Sequence, residues 1–214
     1  KLEKTRIDRW NVNNYGSYKA SEPFASLSDA PASISSLIKD QEEGSLIIQR
    51  NSGAVYTRIA PELAEQGVIF TDLQTAVKEH GDLVQRYLHK AIQPDEHSIA
   101  ALHAALWNGG VFLYVPKNVV IETPLQAVLL TDDAEATFVP HILVVADTNS
   151  SVTYVDNYVS DKEEAGLHNG AVEVFVGAGA KVRYATVHQL GVDTTDVTYR
   201  RAVVENDGVI EWIV

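Results

Sequence analysis

Apolar residues fall at alternate positions in four stretches of the second half of this chain, and the stretches echo one another every 28 to 33 residues. Each reads as two short strands around a tight turn: Leu113–Val115 to Val119–Ile121, Leu143–Val145 to Val152–Tyr154, Val174–Val176 to Val182–Tyr184, and Ala202–Val204 to Ile210–Trp212. The turns are Pro116-Lys-Asn118, Ala146 to Ser151, Gly177-Ala-Gly-Ala-Lys181 and Glu205-Asn-Asp-Gly208. A fixed period of this size signals stacked supersecondary units, none of which buries its apolar face alone.

The register within the repeats is regular. Val152, Val182 and Ile210 align, as do the aromatics Tyr154, Tyr184 and Trp212, while Thr153, Arg183 and Glu211 take the alternate position between them. Period-two alternation places the first two sets inward and the third outward. Two architectures satisfy this pattern: a β-helix with successive coils stacked in parallel, and an antiparallel sandwich in which the same turns are hairpins. Stacking like side chains about 4.8 Å apart favours the β-helix.

The pattern changes upstream. Residues 1 to about 45 lack a period, with only Ile34-Ser-Ser-Leu-Ile38 hinting at a short helix. Ser45–Gln49 and Ala54–Arg58 read as strands joined by a turn at Arg50-Asn-Ser-Gly53. From 61 to 107 the period becomes helical. Pro61–Gln66 stops at Gly67, Thr71 or Asp72 caps a helix through Val77, and Gly81-Asp82 restarts it with Leu83, Val84, Tyr87, Leu88 and Ala91 as the apolar face. Ser98 opens a further helix to Trp107, whose predicted inner row is Ile99, Leu102, Ala105 and Leu106. Asn108-Gly-Gly110 ends it. The division is thus 1–110, a lead-in and helical region with a short strand pair, and 111–214, the coils.

Composition narrows the function. A net charge of -12 disfavours nucleic acid and anionic membrane as partners, since both reward a basic face. No apolar run reaches the roughly 18 residues of a membrane span, and no signal-peptide core is present, which points to a cytoplasmic protein. With no cysteine there is no thiolate metal site and no cysteine nucleophile. A first residue Lys1, the lack of methionine and a strand running to Val214 suggest part of a longer chain.

Candidate chemistry is sparse. His80, His89, His97 and His103 are spaced 9, 8 and 6 apart, which puts no two on one helix face at i, i+4, so solvated surface histidines are expected. His141, His168 and His188 approach one another only if coils stack; His168 beside Asn169 and Gly170 reads as a turn or polar rung, and an inward His188 needs a hydrogen-bond partner. The acidic runs Asp132-Asp-Ala-Glu135 and Asp161-Lys-Glu-Glu164 read as solvated loops. Gly177–Lys181 lacks the phosphate-loop spacing and leads into a strand, so it is a turn; Ser150 and Ser151 are turn residues as well. No catalytic, cofactor-binding or metal-ligating residue is assigned.

The run Leu102-His-Ala-Ala-Leu-Trp-Asn-Gly-Gly-Val-Phe-Leu-Tyr-Val-Pro-Lys-Asn-Val119 resembles the SufB/SufD family of iron-sulfur cluster assembly proteins, as do Ser151–Val159 and Leu167–Val174. The resemblance implies a right-handed parallel β-helix flanked by helical segments. The lack of cysteine and the helical lead-in place the chain nearer the SufD branch. It further implies a non-catalytic scaffold that pairs with SufB or a second SufD, holds the ATPase SufC through a C-terminal helical domain beyond these residues, and has no cofactor of its own here, a transient iron-sulfur cluster belonging to the full complex. The contrasting reading is a carbohydrate-active β-helix enzyme, which needs a carboxylate cluster on one outer sheet; a third is a plain repeat adaptor.

Overall fold

The computed structural model describes residues 16–39, 44–160 and 166–214. Its frame is two mainly parallel sheets facing each other. β1 (Leu46–Arg50), β5 (Leu125–Thr131), β7 (Ser151–Ser160), β9 (Lys181–Gln189) and β11 (Val209–Ile213) stand side by side in parallel, with β2 (Gly53–Arg58) antiparallel at the β1 edge. β4 (Gly110–Val115), β6 (His141–Ala146), β8 (Leu167–Val176) and β10 (Thr195–Val204) form the second sheet, edged by antiparallel β3 (Ile69–Asp72). The chain alternates between sheets, making a β-solenoid of about three turns with a helical segment before it.

The predicted rungs exist. Val152, Val182 and Ile210 are direct neighbours, as are Tyr154, Tyr184 and Trp212. Tyr154 and Tyr184 are fully buried, with ring centroids 5.1 Å apart, and Trp212 follows at 5.0 Å. Together with Leu113, Leu125, Leu129, Val144 and Val174 they fill the space between the sheets. Thr153, Arg183 and Glu211 point outward, and Arg183 Nε donates to Glu211 at 2.6 Å.

The turns stack as well. The amide of Asn118 donates to the carbonyl of Thr148, that of Asn149 to Ala178, and that of Gly179 to Asn206, all at 2.9–3.0 Å. Asn118, Asn149, Gly179 and Asp207 share a left-handed backbone, φ 57 to 66°, which asparagine, aspartate and glycine adopt most readily. At Gly179 a Cβ would also stand 2.6 Å from Asn149 Oδ1.

One predicted strand is corrected. Residues 119–121 make only a bridge, Val120 to Ser151, and the strand of that coil is β5, beyond Pro124. Proline has no N–H to give a ladder, so regular pairing starts after it.

Helices cover the outer faces. α1 (Ala32–Ile38) lays Ile34 and Ile38 on Leu46, Ile48, Val128 and Leu130. α2 (Pro61–Glu65) ends before Gly67, φ 80°. α3 (Leu73–Glu79) is capped by Asp72, whose carboxylate accepts from Thr75 N at 2.9 Å. α3 and α4 (Gly81–Tyr87) seat Leu73, Ala76, Val84 and Tyr87 against Phe112, Leu143, Val145 and Phe175. α5 (Ser98–Leu106) departs from the predicted row: Ile99, Ala100 and His103 face inward, while Ala105 and Leu106 are exposed. His103 turns inward because polar partners await it there.

The Asn108-Gly-Gly110 junction joins helix to coil. The Asn108 amide bridges the Thr137 carbonyl and the Val139 N–H, and buried Gln49 accepts from Gly110 N at 2.7 Å. Gly110, at φ 98°, passes so close to β6 that a Cβ would stand 1.9 Å from the His141 carbonyl oxygen. Only glycine fits.

Candidate functional site: two buried histidine networks

The first network lies between the outer face of the second sheet and the helices above it. His141 and Glu173 project from β6 and β8 on the face opposite Ile142, Val172 and Val174, and both are fully buried. His103 reaches down from α5 and is 3% exposed, so the expectation of a solvated side chain fails for it. His89, in the bend after α4, is half-buried beside them.

Donor accounting assigns the protons. The Asn169 carbonyl can only accept, so His103 Nδ1 carries hydrogen and donates to it at 2.9 Å. Burial and then the neighbouring charge of His141 push His103 down to about 3, so its ring is neutral and Nε2 is an acceptor. His141 Nδ1 donates to that nitrogen at 3.0 Å. Its own Nε2 faces Glu173 Oε2 at 2.9 Å.

Glu173 takes three backbone donors as well, from His89 to Oε2 and from Ala91 and Ile92 to Oε1, at 2.7–2.8 Å. A carboxylate so surrounded is ionised. Burial would raise its affinity for protons, but the hydrogen bond and charge of His141, with those amides, hold it below the usual range. His141 is therefore an imidazolium paired with a buried carboxylate, and the pair fastens the 88–92 bend to the coil.

The second network sits further along the stack. The parallel register sets His188 beside Tyr158 and Asp196 beside His168. His168 Nδ1 donates to Asp196 Oδ1 at 2.8 Å, and His188 Nδ1 donates to Oδ2 at 2.6 Å. Arg200 Nη2 donates to His188 Nε2 at 2.9 Å, which fixes the neutral tautomer of His188. Burial would raise Asp196, yet its hydrogen bonds from His168 and His188 hold it well below the carboxylate range. Burial keeps His168 neutral, and its Nε2 has no partner among the described residues. The predicted approach of His168 and His188 is present, with ring centroids 5.7 Å apart and Tyr158 packed against both; His141 belongs to the other network.

Inside the coils, Asp156 continues the inward series of Val152 and Tyr154. The Tyr184 hydroxyl donates to it, yet burial still pushes its carboxyl up to about 6. The acidic run 132–135 is paired at the surface. Asp132 holds Arg50 and Asn51, and Lys19 holds Asp133 and Glu135, so this acidic run is half-exposed but engaged. The run 161–164 lies outside the described residues. Gly177–Lys181 is a turn, as its spacing indicated.

Among the described residues two groups offer three ligand atoms within 4.8 Å of one another: His89, His141 and Glu173, and His168, His188 and Asp196. Sequence spacing missed His103, Glu173, Asp156 and Asp196. For Asp156 the signal was present, two residues past inward Tyr154.

Residues 43–127 match the family described as SufBD protein N-terminal region, and residues 129–214 match SUF system FeS cluster assembly, SufBD core domain. The chain belongs to the SufB/SufD family. The iron-sulfur cluster assembly protein SufD of Bacillus subtilis is 42% identical over 99% of the chain and 50% of its own length. SufB of the same organism is 34% identical over 77% of the chain and 36% of its length, as is a SufBD family protein of Staphylococcus epidermidis. The chain thus spans half or less of these SufB/SufD relatives, and its likeness is greater to SufD than to SufB of the same organism. The motif that carries the resemblance, Asn108-Gly-Gly110, is the helix-to-coil junction of this chain. Among the described residues no helix is long and apolar enough to cross a membrane.

Proposed function

We propose that this chain is the framework of a SufD-type scaffold subunit in a cytoplasmic iron-sulfur assembly complex, acting through partner binding without catalysis or a nucleotide site of its own. The observation that carries the reading is the 42% identity to SufD across nearly the whole chain. The coils supply a stiff frame, since each rung repeats its neighbour's side chains and each turn donates to the next. Such a frame presents a constant face to a partner. The outward rung supports an interface better than a glycosidase site, for it pairs one arginine with one glutamate.

The partners under this reading are SufB, or a second copy, along the coils, and the ATPase SufC through the part of the longer relatives outside the matched half. Pull-down from cells tests it. The full-length protein retains SufB and SufC, and a version ending at Val214 loses SufC. Retention of SufC by the short version overturns that division of contacts, and capture of neither by the full-length protein overturns the scaffold reading.

A further inference from the structure

We propose that His89, His141 and Glu173 form a site for a divalent transition-metal ion of imidazole and carboxylate preference, with His103 as its positioning residue. This goes beyond the scaffold reading and stands on separate observations.

The ligand atoms lie within 4.8 Å of one another. Metal bonds of about 2.0–2.2 Å bring neighbouring donors to roughly 3–3.5 Å apart, and His141 Nε2 already stands 2.9 Å from Glu173 Oε2. The ion takes the place of the Nε2 proton, which leaves to solvent, and the imidazolium becomes a neutral ligand. Nothing else about His141 changes. Its Nδ1–H still donates to His103 Nε2, and His103 is held in the accepting tautomer by Asn169. A ligating histidine whose other nitrogen donates to an oriented acceptor is the arrangement that tunes metal sites.

Glu173 is equally prepared. Three backbone amides orient its carboxylate, so the ligand is in place before an ion arrives. One of those amides belongs to His89, which is held at φ 58°, a left-handed conformation uncommon outside glycine. The fastening needs only the His89 backbone. Yet the conformation also carries the ring to the edge of His141, centroids 5.0 Å apart at 87°. His89 is the half-exposed member and gives the way in from solvent. Three protein ligands leave a position for water or a partner's donor.

The second histidine group does not qualify. Arg200 donates to His188 Nε2, which keeps the proton on the nitrogen that would have to bind, and sets a cation beside the site.

The test uses the full-length protein stripped of metal. Cobalt(II) titration, read by visible ligand-field absorption, gives one more saturating equivalent for the wild type than for His89→Asn, a residue that tolerates left-handed backbone and preserves the amide to Glu173. His103→Gln weakens the same binding by about 10- to 100-fold. Zinc(II) raises the melting temperature of the wild type by more than that of His89→Asn. Sites elsewhere in the chain contribute equally to both proteins, so the difference reports this one. Equal cobalt stoichiometry and affinity in two folded proteins overturns the site. Should His89→Asn fail to fold, histidine NMR of the wild type decides: zinc must shift the His89 and His141 ring signals, and unshifted signals overturn it. Partner retention is read separately, so either proposal can fall alone.

Discussion

His141 Nε2 lies 2.9 Å from Glu173 Oε2, and neither side chain reaches solvent. One is on β6 and the other on β8, so the pair ties two coils together and, through the amides of 89, 91 and 92, ties the bend after α4 to both.

Breaking this pair from one side leaves an uncompensated buried charge. Glu173→Gln should cost about 3–5 kcal/mol of folding free energy. Replacing both residues with leucine should not recover that loss, because the amides of 89, 91 and 92 and His103 Nε2 are then left without their partners. Urea denaturation of both variants checks this, and a Glu173→Gln loss under about 1 kcal/mol would show that the charge is not confined.

His103 makes stability depend on acid. Its folded value of about 3 lies below the unfolded value of about 6.5. The unfolded chain therefore binds the proton first, and stability is lost as pH falls from about 6.5 toward 3. His103→Gln should flatten that part of the stability–pH curve measured by denaturant unfolding. A curve of unchanged slope would mean that the ring is charged in the folded state.

Asp156 acts in the opposite sense. Its folded value of about 6 lies above the unfolded 3.8, so the folded state binds the proton more tightly and stability falls as pH rises between these values. Asp156→Asn should stabilise the protein at about pH 7.5 by roughly 1–3 kcal/mol, with the gain vanishing near about pH 4. The same comparison of unfolding curves at both pH values decides it; a variant less stable than wild type at neutral pH would show that the carboxylate is well solvated.

Gly179→Ala tests the turn column. It forces a left-handed alanine and pushes a methyl toward Asn149 Oδ1, so a loss of about 1–2 kcal/mol is expected. An unchanged melting temperature would mean that the column relaxes freely.

A cap of unusual chemistry starts α5. His97 Nδ1 accepts from Ala100 N at 3.0 Å. His97→Ala should cost about 0.5–2 kcal/mol and His97→Asp should recover most of it. Equal thermal stability of all three proteins would remove the cap from the account.

Much of this fold was legible because the rungs repeat. Tyr154, Tyr184 and Trp212 could be aligned by eye, and the left-handed turn positions are occupied by Asn, Gly and Asp. β5 was not legible, for a physical reason: Leu125, Ala127 and Leu129 face the coil interior while Val128 and Leu130 pack under α1. With both faces covered, the alternation that marks a half-buried strand disappears. The first histidine network escaped for another reason. His103 finds Asn169 66 residues away and His141 finds Glu173 32 residues away, and no local spacing encodes a meeting made by stacking. Local pattern did offer one unread signal, the inward step from Tyr154 to Asp156, which is a buried carboxylate.

The stacked turns have a consequence for how such chains change length. Because Asn118, Asn149, Gly179 and Asp207 hold equivalent places in successive coils, one full winding can be excised or duplicated between any adjacent two of them with every inward side chain still meeting an inward neighbour. Loss of half a winding would instead deliver the chain to the wrong sheet. Growth and shrinkage of this architecture are therefore quantised in whole windings, and the winding, more than the residue, is the natural unit in which its relatives should differ.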